Sequence, residues 1–166
     1  LRAEEGKLVV AQCDVDEEVE AGDETGPEES GGLLFALESH LRDFLAKNME
    51  TIQVNNSTLK VYADADRRDG VEYPTDVGPI DILAIDETGN FVVIELKVSK
   101  GPDRAIGQAM RYMGWVTRHL AAGKKVTGVI VACEIDEKLK YDASVSPNIT
   151  LFGYKLRFDL SPVALS

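Results

Sequence analysis

Two acidic residues and a lysine interrupt a pair of apolar stretches in which a purely structural strand would carry neutral side chains. Residues 78–97 form two apolar runs joined by a polar turn at Gly89-Asn90, a pattern typical of a β-hairpin. Asp81 lies in the first run, and Glu95 and Lys97 lie in the second. Because side chains alternate between the two faces of a strand, Glu95 and Lys97 share one face.

The predicted hairpin brings the two carboxylates together if its turn closes so that Asp86 or Ile85 faces Phe91. Asp81 then lies opposite or diagonal to Glu95, and directly opposed residues have Cβ atoms roughly 4.5–5.5 Å apart. Two carboxylates held that close repel each other unless a cation lies between them, and hard oxygen ligands suit Mg²⁺. We therefore interpret the hairpin as a divalent-metal site; a structural network of ion pairs is the alternative interpretation.

A helix predicted over residues 33–49 places a further carboxylate among its apolar side chains. Glu38 lies four residues after Leu34 and three before Leu41, on the apolar stripe or at its border. A carboxylate at such a position must be paired or must serve a site. The alternative is a border glutamate whose carboxylate reaches solvent. The predicted stripe comprises Leu34, Leu37, Leu41, Phe44 and Leu45.

A second helix is predicted after the hairpin, over about residues 103–122. Gln108 and Tyr112 are four residues apart and share a face that is separate from the apolar one. Ordinary helix-surface residues are the alternative for both. The buried stripe of this helix is predicted to comprise Ile106, Met110, Met113 and Val116 or Leu120.

Charge is distributed unevenly along the 166-residue chain, whose formal net charge is −11. Residues 1–32 contain 2 basic and 11 acidic residues, whereas the remaining 134 residues contain 16 and 18. Between residues 97 and 125 seven basic residues occur against one acid, Asp103. A basic stripe in a nearly neutral domain is typical of phosphate binding, and a solvated helix face is the alternative.

The order of the predicted elements, α–β–β–β–α–β–α–β, indicates one α/β domain with a mixed sheet. Residues 126–133 form an apolar, β-branched run, which predicts a buried strand parallel to the strand of Glu95. A last strand is predicted within residues 149–160. Residues 1–32 are predicted to be an acidic linker or disordered segment, with the domain over residues 33–166. An acidic tail that competes with DNA for a basic groove is the alternative for that segment.

Composition predicts a cytoplasmic protein without a membrane span. No apolar run approaches the roughly 20 residues needed to cross a bilayer, and no signal-peptide pattern occurs. Cys13 and Cys133 form no CxxC pair. Cys133 is predicted to be a buried free thiol in a strand, in keeping with a reducing compartment.

The residues singled out above resemble the PD-(D/E)xK nuclease superfamily. Its PD, ExK and QxxxY motifs are matched in that order by residues 79–81, 95–97 and 108–112, with Glu38 in the preceding helix. A longer likeness, over roughly residues 33–160, is to the catalytic domain of the NucS/EndoMS endonucleases. It rests on residues 37–38, 43–45, 72–75, 80–84, 92–97, 107–116, 135–141 and 154–158. The resemblance implies a restriction-endonuclease-like core, a mixed β-sheet flanked by helices.

That resemblance implies a Mg²⁺-dependent endodeoxyribonuclease, with Mn²⁺ able to substitute, acting on mismatched or branched DNA in repair. Asp81, Glu95 and the Leu96 carbonyl would hold the metal, and Glu38 would complete the acid cluster directly or through a bound water. Lys97 would orient or deprotonate the attacking water, or stabilise the pentacoordinate phosphorus. Further residues are implied at the substrate: Gln108 and Tyr112 as catalytic, and Lys100, Arg104 and Arg111 as nucleic-acid-binding.

The sequence differs from the family in two respects, which bear on DNA specificity and dimerisation and not on the nuclease core. The family carries an N-terminal DNA-binding and dimerising domain, and residues 1–32 are too few and too acidic to supply it. After Lys97 the sequence Val98-Ser99-Lys100 is less basic than the family tends to be. The predicted partners are DNA and either a second copy of the chain or an upstream specificity domain. A catalytically silent PD-(D/E)xK domain that binds nucleic acid or protein is the alternative function.

Overall fold

The computed structural model describes residues 27–98, 104–155 and 161–163. The α-helices in these ranges are α1 (Pro27–Lys47), α2 (Arg104–His119) and α3 (Glu137–Ser144), and a 3₁₀ turn spans Met49–Thr51. The strands are β1 (Gln53–Val54), β2 (Ser57–Val61), β3 (Val71–Tyr73), β4 (Ile80–Asp86), β5 (Phe91–Lys97), β6 (Val126–Ala132) and β7 (Ile149–Gly153).

The hairpin of β4 and β5 lies at the centre of a seven-stranded mixed sheet of order β1-β2-β4-β5-β6-β7, with β3 also paired to β4. Strands β2, β3 and β5 run antiparallel to β4. Strand β6 is parallel to β5, and β7 is parallel to β6. The predicted mixed sheet and the predicted parallel pairing across α2 are therefore confirmed.

The hairpin closes in one of the two registers that its sequence predicts, with Ile85 rather than Asp86 paired to Phe91. The turn is held by Asp86, whose Oδ1 accepts hydrogen bonds from the backbone N–H groups of Thr88 and Asn90. An aspartate that bonds its own backbone in this way stabilises a tight turn. Gly89 completes the turn at a φ of +82°, a conformation that favours glycine.

Both faces of the hairpin are covered, which explains why its strands are apolar almost throughout. Val92, Ile94 and Leu96 face a cluster that includes Leu41 of α1. The opposite face packs against α2, where Val93 joins a cluster containing Tyr112, Val116, Tyr73, Ile80, Leu83, Phe91 and Ala121. The predicted architecture, a mixed sheet flanked by helices, is thus confirmed.

Helix α1 begins at Pro27 rather than at residue 33, so the predicted start of this helix is wrong by six residues. Proline suits the first turn of a helix because its missing N–H would have no partner there. The rest of the predicted linker lies outside the described residues. The predicted apolar stripe is also only partly right, because Leu41 is buried but Phe44 is 62% exposed.

Helix α2 buries smaller side chains than its pattern predicts. Met110 is 54% exposed, whereas Ala105, Ile106, Ala109, Tyr112 and Val116 are buried. The buried stripe of α2 is therefore rotated around the helix from the stripe that the large apolar residues predict.

Cys133 follows directly after β6, is only half-buried, and is disulfide-bonded. The prediction of a buried free thiol is therefore wrong, and cysteine usage lends no support to a reducing compartment. Beyond it, α3 is capped by Asp136, whose Oδ1 accepts from the backbone N–H of Leu139 at 2.7 Å. Within the ranges that the structure covers, none of the helices is both long and apolar enough to traverse a bilayer.

Candidate active site

A cavity of about 240 Å³ lies where α1 and α2 meet the β4 and β5 strands. It brings together most of the side chains that the sequence singled out, although they come from four separate elements. Its lining comprises Glu38, Asp81, Glu95, Leu96, Lys97, Val98, Arg104, Ala105 and Gln108.

The strand register places the two hairpin carboxylates opposite one another. Ile82 pairs with Ile94, and one further step along the antiparallel ladder sets Asp81 against Glu95, as predicted. The Asp81 Oδ2 atom also accepts a hydrogen bond from the backbone N–H of Leu96 at 2.8 Å. This bond holds the Asp81 carboxylate beside β5, on the face of the sheet that carries Glu95.

The Glu95 carboxyl group is buried and poorly compensated. Its residue is 6% exposed, and its Oε2 atom has no hydrogen-bond partner within the described part of the chain. Burial raises the pKa of Glu95 to about 9, and the charges of Asp81 and Glu38 add to that rise. Burying an ionised carboxylate without a hydrogen-bond or ion-pair partner is unfavourable in free energy. A cation bound to the Glu95 carboxylate would offset that unfavourable free energy.

The Asp81 carboxyl group is perturbed in the same direction but less strongly. Burial raises its pKa to about 6, partly opposed by the hydrogen bond from Leu96. The charge of Glu38 raises this pKa further, whereas the guanidinium of Arg42 lowers it. Asp81 and Glu95 are therefore two acidic groups that repel when both are ionised.

Helix α1 delivers Glu38 to the cavity from outside the sheet. Leu41, one turn later, is buried against the sheet face opposite α2, which fixes the rotation of the helix. Glu38 is half-buried at the cavity wall, and its charge raises the pKa of both Asp81 and Glu95. The carboxylate on the apolar border of the predicted helix thus belongs to the same acidic group as the hairpin residues.

An ion pair beside this group involves residues to which sequence reasoning assigned no role. The Arg42 Nη1 atom donates to Glu72 Oε1 at 2.9 Å, and the Arg42 residue is only 9% exposed. Glu72 lies in β3, across from Asp81, and has a φ of +48°, which is uncommon for a residue other than glycine. The signal that could have found Arg42 is its spacing of four residues from Glu38.

Gln108 reaches the cavity, whereas Tyr112 lies behind it. The Gln108 Nε2 atom donates to Tyr112 Oη at 3.3 Å. Tyr112 is 3% exposed and packs beneath Gly78, where a Cβ atom would lie 3.1 Å from the Tyr112 Oη. The structure therefore places Tyr112 as a support for Gln108 and for the turn that enters β4, not at the cavity wall.

The residues predicted to bind nucleic acid fall in different places. Arg104 is exposed and lines the cavity at the start of α2. Arg111 is exposed farther along the same helix and does not line the cavity. Lys100 lies outside the described residues, as do its neighbours up to residue 103.

The donor set fits a divalent cation held by few protein ligands. No three His, Cys, Asp or Glu side chains in residues 27–98 and 104–155 converge tightly enough to form a ready-made metal cage. Mg²⁺ is usually bound through only one or two carboxylates and keeps several waters. Asp81 and Glu95, with the unpartnered Oε2 of Glu95, supply such a pair.

Without a divalent cation, the free energy of unfolding is expected to fall as the pH rises from about 5 to about 9. The pKa of Glu95 is about 9 in the folded chain against an ordinary value of 4.5, so unfolding releases a proton over this range. The contribution of protonated Glu95 to the free energy of unfolding is fully present below pH 4.5, the ordinary pKa, and is lost above about pH 9, the pKa in the folded chain. One such group contributes a slope of at most about 1.4 kcal/mol per pH unit. Urea unfolding in EDTA across this range measures it.

Glu95→Gln is expected to flatten that pH dependence, because the amide cannot ionise. Glu50→Gln, a change at an exposed carboxylate of the 3₁₀ turn, is the matched control and is expected to leave the slope unaltered. Equal slopes for the unaltered chain and Glu95→Gln would contradict the assignment of the buried proton to Glu95.

Comparison with known families identifies the part of the chain that contains this site. The family model described as "Endonuclease NucS C-terminal domain" matches residues 37–144. Endonuclease NucS of Corynebacterium aurimucosum is 31% identical over 134 residues, covering 81% of this chain and 51% of that protein. Endonuclease NucS of Streptomyces griseus is 34% identical over 133 residues, covering 78% of this chain and 51% of that protein. The chain thus spans about half the length of these relatives.

Two solved structures share the fold at lower sequence identity. A complex of EndoMS with double-stranded DNA superposes with a TM-score of 0.55 at 22% identity, covering 72% of this chain and 46% of that one. The apo form of EndoMS superposes with a TM-score of 0.52 at 19% identity, covering 83% of this chain and 49% of that one. Both likenesses concern the fold.

Proposed function

Because the chain belongs to the family of the endonuclease NucS C-terminal domain, we propose that it is a divalent-metal-dependent endodeoxyribonuclease that hydrolyses phosphodiester bonds. The observation that carries the proposal is the opposed pair of Asp81 and Glu95, with one buried carboxylate oxygen of Glu95 that has no hydrogen-bond partner among the described residues. Lys97 lines the same cavity. A structural ion-pair network would instead be expected to leave its buried charges compensated.

The acidic residues of the cavity are proposed to hold Mg²⁺, with Mn²⁺ able to take its place. Asp81 and Glu95 would supply carboxylate oxygens and Leu96 its backbone carbonyl, while Glu38 would add negative charge at the cavity wall. A divalent cation bound there supplies Lewis-acid stabilisation of charge on a phosphate oxygen. The hydrogen bond from Leu96 to Asp81 keeps that carboxylate aimed along β5 before any ligand arrives.

Lys97 and the side chains of α2 are proposed to act on the substrate. Lys97 shares a strand face with Glu95, so its ammonium can orient the attacking water or stabilise negative charge as the phosphorus becomes five-coordinate. Gln108, held by Tyr112, would orient Lys97 and contact the scissile phosphate. Arg104 and Arg111, with Lys100, would bind flanking phosphates.

The preferred substrate is proposed to be mismatched or branched DNA of the kind that repair enzymes act on. A structure with the same fold was solved as a complex of EndoMS with double-stranded DNA, which supports duplex DNA as the polymer. Because the chain spans about half the length of its relatives, a second copy or an upstream domain is proposed to contribute specificity.

Cleavage of end-labelled DNA tests the proposal. Matched, mismatched, nicked and branched duplexes and a single strand are incubated with the protein in Mg²⁺, in Mn²⁺ and in EDTA. We expect internal cleavage in either metal, none in EDTA, and a preference for mismatched or branched duplexes. The control is Lys97→Ala, prepared in the same way.

Failure to cleave any of these substrates above the level of Lys97→Ala would overturn the nuclease proposal. Retained binding of the same DNA in that case would identify the chain as a catalytically silent binding domain. Cleavage of matched, mismatched and branched duplexes at equal rates would be compatible with the nuclease proposal. It would contradict the proposed preference for mismatched or branched DNA.

A further inference from the structure

The outward face of α2 carries three arginines at intervals of seven residues. Arg104, Arg111 and Arg118 are all exposed, and the intervals of two helical turns align them along one side of the helix. The buried side of the same helix holds Ala109, Val116 and their neighbours, so the arginine row faces away from the sheet. The helix contains no acidic residue, although the whole chain is strongly acidic.

Contacts with the described residues do not account for this row. Within the described part of the chain, no hydrogen bond or ion pair engages the side chains of Arg104, Arg111 or Arg118. A cation near a helix C-terminus is favourable, which would suit Arg118 alone. Arg104 stands at the first residue of α2, where the helix dipole disfavours a positive charge. Helix stability therefore explains at most one of the three arginines.

Two glycines lie on the same outward side, between the arginines. Among the described residues nothing lies within 4 Å of where a Cβ atom would stand at Gly107 or Gly114, so no packing within that part of the chain requires either glycine. Glycine in a helix interior is less stable than alanine at the same position. Because glycine has no side chain, no atoms project from the helix between the three arginines at these positions. A ligand can therefore approach the helix backbone closely.

We infer that this row, Arg104–Gly107–Arg111–Gly114–Arg118, is the track along which the phosphate backbone of DNA leaves the cavity, an inference that rests on the proposed nuclease function. Arg104 belongs both to the cavity and to the row, so the track is continuous with the site. The row spans about 21 Å at 1.5 Å per residue. That length matches roughly six nucleotides of one strand at 3.4 Å each.

Charge complementarity selects DNA over a second copy of the chain as the occupant. Two such rows brought together would place three arginines against three others, and like charges at close range repel. A polyanion, by contrast, pairs with all three arginines and releases counterions as it binds.

Salt-dependent binding tests the arginines. Fluorescein-labelled duplex DNA of 30 base pairs is titrated with Lys97→Ala protein at several potassium chloride concentrations, in EDTA so that no divalent cation supports cleavage. Adding Arg111→Gln or Arg118→Gln is expected to weaken binding by about 2- to 5-fold each, the range for an exposed ion pair. Each change should also reduce the salt slope by about 0.9. Lys60→Gln, on the exposed surface of β2, is the control and should change neither quantity.

Matched substitutions on α2 test the glycines. Gly114→Ala is expected to raise the Tm by about 2–4 °C, because an exposed helical glycine is replaced by a better helix former. Gly114→Gln is expected to weaken DNA binding several-fold, since its side chain stands in the track. Thr117→Gln places the same side chain on a neighbouring exposed part of α2, away from the row, and is expected to leave binding unchanged.

The outcomes separate this inference from the nuclease proposal. If the unaltered chain cleaves DNA, and Arg111→Gln, Arg118→Gln and Gly114→Gln all bind as the parent does, the track is wrong and the nuclease stands. If the chain cleaves nothing yet these changes weaken binding, the track stands and the nuclease proposal is wrong. A concentration-dependent dimer that Gly114→Gln disrupts, with DNA binding unaffected, would assign the face to a second copy and overturn the track.

Discussion

Lys97→Ala is expected to lower the rate of DNA cleavage by roughly 10²- to 10⁴-fold, the range for loss of an acid–base group or of a charge that stabilises the transition state. Lys97 shares its strand face with Glu95 and lines the same cavity, but it is not one of the acidic ligands. The affinity for a divalent cation should therefore stay within about 2-fold. Single-turnover cleavage in Mg²⁺ and calorimetric titration with Mn²⁺ measure the two quantities.

Lys97→Arg and Lys47→Ala sharpen this test. Arginine keeps the positive charge but stays protonated, so substantial activity in Lys97→Arg would favour charge stabilisation over proton abstraction. Lys47 is an exposed lysine at the end of α1 and should tolerate alanine without loss of cleavage. Equal loss of cleavage and of cation binding in Lys97→Ala would contradict the assigned role.

Asp81→Asn is expected to lower the affinity for Mn²⁺ by more than about 100-fold, because losing even an outer partner of a metal ligand costs 10- to 100-fold. Cleavage should fall at least as far. The same change should raise the Tm of the metal-free protein at pH 8. Burial raises the pKa of Asp81 to about 6, so at pH 8 its ionised form is disfavoured by the fold. The asparagine side-chain oxygen can still accept from the Leu96 N–H.

Asp86→Asn, at the other end of the same strand, is the matched control, and its expected change in Tm at pH 8 has the opposite sign. Partial burial acts to raise the pKa of Asp86, but the hydrogen bonds from Asn90 and Thr88 outweigh it and lower that pKa. Ionised Asp86 therefore stabilises the turn, and Asp86→Asn should lower the Tm at pH 8 without changing Mn²⁺ affinity. A lower Tm for both substitutions, or a loss of Mn²⁺ affinity in both, would contradict the assignment.

The hairpin was predictable because its determinants are local. A period of two assigns Glu95 and Lys97 to one face, and a turn rich in Asp86, Gly89 and Asn90 leaves few ways to close. The two registers that remain set Asp81 opposite or diagonal to Glu95, and the structure has the first of them. The parallel strand β6 followed from similar reasoning, since a buried apolar run after a strand and a helix has few other places to pair.

Helix burial was less predictable because it depends on distant partners. The apolar spacing of α1 placed Phe44 on the buried face, yet Phe44 is exposed and Arg42 is buried beside Glu72. Arginine is buried there because Glu72, thirty residues away, supplies an ion-pair partner. In α2, similarly, Tyr112 was expected at the site but is buried beneath Gly78, so of the Gln108 and Tyr112 pair only Gln108 lines the cavity.

The sequence by itself determined the acidic hairpin, the mixed sheet and the presence of a basic helix after it, since each depends on short-range spacing or composition. Only the tertiary structure decided that Glu38 and Gln108 meet Asp81 and Glu95 at one cavity, that Arg42 pairs with Glu72, and that Tyr112 stands behind the site. The physical reason is that pKa values and burial depend on which elements pack together, and that packing joins residues far apart in the chain.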